Sequence, residues 1–183
     1  MSPQYSGIRG VLAWIDAFAQ FTGRWIALLT LLMMLLTCVI VVLRYGFSLG
    51  SIALQESVGY LHSAVFLLAM ASTLQRDGHV RVDIFYRRFS RAKQAWVNAL
   101  GSLLFLLPVA GFLLFSSWNY VADAWAVREG SSSAGGLPLV YLLKSLIPLT
   151  AVLLALQAIG EVLRGLLVLL QEPQASGEGS SHD

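Results

Sequence analysis

Trp25-Ile26-Ala27-Leu28-Leu29-Thr30-Leu31-Leu32-Met33-Met34-Leu35-Leu36-Thr37-Cys38-Val39-Ile40-Val41-Val42-Leu43 runs for nineteen residues without a charge, between Arg24 and Arg44. At 1.5 Å per helical residue, a run of this length crosses a hydrocarbon layer of about 30 Å. A cleaved signal peptide would show a shorter apolar core near the start, followed by a small-residue cleavage site. This run is longer, begins later and lacks such a site, so it is expected to be a retained transmembrane helix over 25–43.

Three more runs repeat the pattern. Ser57–Gln75 follows Glu56, contains His62 and is followed by Gly78, a common residue just past a helix end. Val97–Trp118 lies inside the uncharged window Gln94–Ala122. Pro108 and Gly111 fall within it and are tolerated in a membrane, where neighbouring groups satisfy the freed carbonyl. The fourth run extends from Leu139 to about Leu163, with Lys144 near its start, Pro148 one turn later, and Glu161 and Arg164 at its far end. The chain therefore reads as an all-α integral membrane protein with four transmembrane helices, at about 25–43, 57–75, 97–118 and 139–163, in a single domain over 1–170.

Composition agrees with this class. Of 183 residues, 57% are apolar and 12% charged, whereas soluble domains carry about 25% charged residues. The net charge of +2 creates no field suited to nucleic acid, and the single cysteine, Cys38, excludes an internal disulfide framework. On its apolar run, Cys38 is expected to be a small packing residue.

Charge placement gives an orientation. The connection Arg76–Trp96 holds six of the twelve Lys and Arg residues, so the positive-inside rule places it in the cytoplasm, and both termini with it. The first-to-second connection, with Arg44, and the third-to-fourth, with Arg128, are then external, as in a bacterial inner-membrane protein. Ile8–Arg24 is expected to be an amphipathic helix at the membrane interface. Arg9, Ala13, Asp16, Gln20 and Arg24 share a narrow arc, apolar residues fill the other side, and Trp14 and Trp25 suit the headgroup level. The tail 171–183 is polar and expected to be disordered.

Local features are few. Arg44 and Glu56 flank the first external connection, where they either pair with one another or a partner, or extend into the headgroups. Lys144 has the same two alternatives. Gly59 and Ser63 form a small-residue ridge suited to close helix packing. Gly78-His79-Val80-Arg81-Val82-Asp83-Ile84 alternates, so an extended conformation would put His79, Arg81 and Asp83 on one face. The paired histidines of a membrane haem, a cysteine pair for redox work and a third ligand beside His79 and Asp83 are missing from the motifs, so no cofactor or metal is expected. No crossing carries a central carboxylate or a polar, glycine-rich break.

Arg44-Tyr45-Gly46-Phe47, Leu54-Gln55-Glu56-Ser57, Asp77-Gly78-His79-Val80-Arg81-Val82-Asp83 and Lys144-Ser145-Leu146-Ile147-Pro148-Leu149, taken in order, resemble the small membrane subunit of TRAP transporters, the DctQ family. The resemblance covers about residues 8–170. Around Tyr86-Arg87-Arg88 and Val127-Arg128-Glu129-Gly130 the chain is similar to the subgroup labelled for mannitol or chloroaromatic compounds. It implies a non-catalytic subunit in a tripartite system. A periplasmic binding protein delivers an organic acid, a large DctM-type permease subunit moves it by an elevator motion driven by sodium, and the small subunit braces that permease in the lipid bilayer. Arg44, Tyr45, Glu56, Gly78, His79, Arg81, Asp83, Lys144 and Pro148 become candidates for structural or partner-facing roles. The alternative is a four-helix anchor of a respiratory or redox enzyme, which a haem absorbance spectrum would distinguish.

Overall fold

The computed structural model describes residues 6–75, 86 and 88–175. Among them every regular element is helical: α1 (Ser6–Gly46), α2 (Ile52–Gln75), α3 (Arg91–Gly101), a π-helical segment (Ser102–Leu106), α4 (Leu107–Ala126) and α5 (Val140–Ala175). Since α3, the π segment and α4 are continuous over Arg91–Ala126, four helices are long and apolar enough to cross a membrane.

Local chemistry sets the boundaries. The Ser51 hydroxyl accepts the Leu54 N–H near the start of α2, and the Ser90 hydroxyl accepts the Lys93 N–H as the N-cap of α3. Both satisfy a donor that a helix start leaves open. Arg44 occupies the last turn of α1, where a cation complements the helix dipole. The π segment ends two residues before Pro108. Proline has no N–H to donate, and its ring collides with the carbonyl four residues back. The ladder widens at this point, with the Leu107 N–H donating to the Ser102 carbonyl, so the third span passes the proline without breaking.

Two boundaries differ from the sequence expectation. The expected interfacial helix and first crossing form one uninterrupted helix of 41 residues, about 62 Å long. No glycine or proline breaks the pattern between them, and Gly23 is tolerated inside the helix. The fourth helix runs through the apolar stretch Leu166–Leu170, expected to prolong it, and on to Ala175, into the first residues of the segment 171–183 expected to be disordered.

α5 is the centre of the structure. It packs against α1, α2, α3, the π segment and α4, while α1 leans chiefly on α2. Burial follows this arrangement: 39% of the most apolar window of the fourth span is buried inside the chain, against 6% for each of the others. Ala151, Leu153, Leu154, Ala158 and Leu167 of α5 are core residues, joined by Leu12, Ile15, Ala19 and Ile26 from α1. α2 and the third span pack on α5 rather than on each other. The result is an open layer of helices instead of a closed bundle, and it leaves broad apolar faces on α1 and α4 outside the core.

Small residues permit the closest approach. A Cβ added at Gly165 would lie 2.8 Å from Ala99 Cβ and 2.9 Å from the Ala95 carbonyl oxygen, so α3 and α5 meet only because residue 165 lacks one. The expected ridge of Gly59 and Ser63 has no such role within the chain. Gly59 is exposed, and a Cβ there would meet nothing within 4 Å. Cys38 is likewise exposed on α1 and is not a core residue.

Candidate functional site at the loop end of the helices

The α4–α5 connection is built by its flanking helices. α4 ends in a Schellman arrangement: the Glu129 N–H donates to the Ala124 carbonyl and the Arg128 N–H to the Trp125 carbonyl. This geometry places the penultimate residue in left-handed conformation, usually a glycine. Here Arg128 takes that position, at φ 47°. The turn carries Glu129 back over α5, where its carboxylate pairs with Lys144. The Lys144 ammonium also lies 4.0 Å from the centre of the Tyr120 ring on α4, a cation–π contact. One turn away, Trp125 Nε1 donates to Ser145 Oγ at 2.8 Å. The Trp125 ring meets Tyr141 edge-on at 4.7 Å.

Glu56 holds the far side of the same loop. On α2, its Oε1 accepts the Ser131 hydroxyl and its Oε2 accepts the Leu137 N–H at 2.7 Å. Within the loop, the Ser131 N–H donates to the Leu137 carbonyl at 2.9 Å and the Gly136 N–H to the Ser133 carbonyl at 3.0 Å. Gly136 is required by proximity, because a Cβ there would sit 2.6 Å from Ser131 Cβ and 2.7 Å from Glu56 Oε1. The glycine- and serine-rich segment Gly130–Gly136 is therefore tied at one side to α2 and at the other to α5.

A second polar cluster lies at the opposite end of α5. Arg164 pairs with Glu161 on its own helix and with Asp16 on α1. Beside it, Gln94 Nε2 donates to the Tyr86 and Phe89 carbonyls, and the Tyr86 hydroxyl donates to Asn98 Oδ1 at 3.1 Å. Gln157, further along α5, is 2% exposed and its Oε1 accepts no hydrogen bond among the described residues.

The expected residues divide into three groups. Glu56 and Lys144 come together on one loop. The pairing of Arg44 with Glu56 is not formed: the Glu56 carboxylate is bonded to the α4–α5 loop, and Arg44 is exposed at the end of α1. Tyr45 is 82% exposed beside it. Pro148 lies half-buried inside an unbroken α5, and Trp14 and Trp25 are exposed on α1. Gly78, His79, Arg81 and Asp83 lie outside the described residues. Sequence reasoning did not single out Glu129, Ser131, Tyr120 or Trp125, nor join Asp16 to Arg164. Glu129 alone carried a signal, as a carboxylate at the edge of a membrane run with Lys144 on the next helix.

The sequence matches the family model described as tripartite ATP-independent periplasmic transporters, DctQ component, over residues 33–168. The chain belongs to the DctQ family. No curated protein and no solved structure matches it. The matched range of this DctQ chain includes both anchors of the α4–α5 loop and all of α2 through Val168 of α5. It begins inside α1, so Asp16 lies outside the matched range while its partner Arg164 lies within it. The chain is thus a multi-pass small permease subunit of a TRAP transporter.

Proposed function

We propose that this DctQ chain is a non-catalytic scaffold that braces a DctM-type large permease subunit in the bacterial inner membrane. The large subunit carries organic acids by a sodium-driven elevator motion, and a periplasmic binding protein delivers them. The loop end, with Glu56 and Lys144, faces the periplasm, and both termini lie in the cytoplasm. The amphipathic half of α1 continues past the hydrocarbon core on the side of the termini, with Leu12, Ile15 and Ala19 packed into the chain's own core. A helix of about 62 Å supports this last assignment, since a hydrocarbon core of about 30 Å accommodates roughly half of it.

The observation that carries the reading is where the charged groups are used. Glu56, Glu129 and Lys144 hold one end of the molecule together, and Asp16, Glu161 and Arg164 the other. Between them, 57–75, 94–122 and 145–160 contain no Asp, Glu, Lys or Arg. A solute path through this chain would need polar groups at mid-depth. The Lys and Arg excess of Arg76–Trp96 supports the orientation.

Purification under mild detergent tests the assembly, with partner chains identified by mass spectrometry. A large permease subunit is expected in stoichiometric amount. Liposomes holding the chain alone should show no sodium-driven uptake, and uptake should appear once the large subunit and binding protein are added. Transport by the isolated chain would overturn the proposal.

A further inference from the structure

Two clefts among the described residues adjoin one another. The first, of about 280 Å³, is polar and lies at the Arg164 end, bordered by Arg91, Gln94, Asn98 and Glu161. The second, of about 550 Å³, is an apolar groove between α2 and the third span, floored by Leu154 of α5. Met70 and Leu74 form one wall, and Gly101, Phe105 and Val109 the other. Asn98 and Glu161 border both clefts. A polar chamber thus opens into an apolar channel at a helix end, the position of a headgroup above its acyl chain.

Dimensions and charge narrow the occupant. From Asn98 to Leu113, both on the groove, the helix rises about 22 Å, enough for an acyl chain spanning one leaflet of about 15 Å. In the chamber Arg91 has no ion-pair partner among the described residues. Glu161 is bonded through Oε1 to Arg164, and no described group is bonded to its Oε2. An available guanidinium beside an available carboxylate oxygen suits a ligand with a phosphate and a hydrogen-bonding ammonium. A lipid with only negative charge would bring no ammonium to the open Oε2 of Glu161. The geometry points to a bound zwitterionic aminophospholipid, its phosphate on Arg91, its primary ammonium on Glu161 and one acyl chain in the groove over Gly101. The site lies in whichever leaflet holds the Arg164 end, so it is independent of the transport reading.

The full chain, delipidated in detergent, would be titrated with dioleoyl phosphatidylethanolamine, phosphatidylcholine and phosphatidylglycerol and followed by native mass spectrometry. A one-to-one phosphatidylethanolamine complex is expected, about tenfold favoured over the other two, the scale of a charge-assisted hydrogen bond. Glu161→Gln should abolish that preference, and Arg91→Gln should weaken all three lipids. Gly101→Leu should block the groove for every headgroup; a Cβ at this position meets no neighbour within 4 Å. Equal binding of the three lipids by the unmodified chain would overturn the site even if a variant fails to fold. In membranes, a photoreactive residue at Phe105 should capture lipid. Capture of a polypeptide instead would assign the groove to a protein partner and overturn it as well.

Discussion

Glu56 and Leu137 are 81 positions apart in the chain, yet Glu56 Oε2 accepts the Leu137 N–H at 2.7 Å. With Oε1 bonded to the Ser131 hydroxyl, one carboxylate on α2 closes both strands of the α4–α5 loop. Glu56→Ala should leave helix content unchanged by circular dichroism. It should speed cleavage within 130–136 by a broad-specificity protease about tenfold, since cleavage follows the opened population. Gly136→Ala should have the same effect with the carboxylate intact, because its Cβ would occupy the space beside Glu56 Oε1. Unchanged cleavage in both variants would show that the loop is held by other contacts.

Arg128 ends α4 in a conformation that suits glycine, at φ 47°. Its N–H is bonded to the Trp125 carbonyl, so the strain belongs to the backbone and not to a missing bond. Arg128→Gly should raise stability by about 0.5–1 kcal/mol, in the range for relieving a left-handed residue. Thermal unfolding in detergent would measure this as an increase in Tm. Arg128→Ala should give no comparable gain, because it retains a Cβ.

Lys144 and Glu129 should act as one unit. The ammonium bonds the carboxylate and also faces the Tyr120 ring. Lys144→Gln and Glu129→Gln should each lower Tm, and the double variant should fall little below the worse single one, as coupled neighbours do. Additive losses in the double-mutant cycle would mean that the two side chains contribute independently.

Close packing at Gly165 gives a prediction about the helix core. Gly165→Leu places a side chain against Ala99 and the Ala95 carbonyl and should cost about 1–3 kcal/mol, the usual range for overpacking. Gly101→Ala, where a Cβ meets nothing within 4 Å, should instead stabilise the third span by up to about 1 kcal/mol through helix propensity. Paired urea or thermal melts of the two variants would separate local packing from a general intolerance of glycine replacement.

The crossings are legible in the sequence because the bilayer sets a local rule: about twenty residues without charge must form a helix there, whatever their neighbours do. Trp25–Leu43 and Gln94–Ala122 meet that rule by themselves. The residues at the ends of the runs, Glu56 and Lys144 among them, are visible for the same reason, since charge inside a run is costly. What each charge bonds to is not local. Arg44 is nearer to Glu56 in sequence than Ser131 or Leu137, and nearness suggested a pairing that the fold does not form. Gly59 and Ser63 have the spacing of a packing ridge and face outward, while Gly165, with no such motif around it, is the point of close contact. Helix rotation decides these outcomes, and in apolar helices the hydrophobic pattern hardly constrains rotation, because nearly every face is apolar. The sequence alone thus determined that this chain is a four-span helical membrane subunit with its charges at the rims. The tertiary structure decided that α5 lies at the centre, that Glu56 and Lys144 hold one loop, and that α2 and the third span leave a groove between them. Those are contacts between residues far apart in the chain, and only the packed arrangement of helices specifies them.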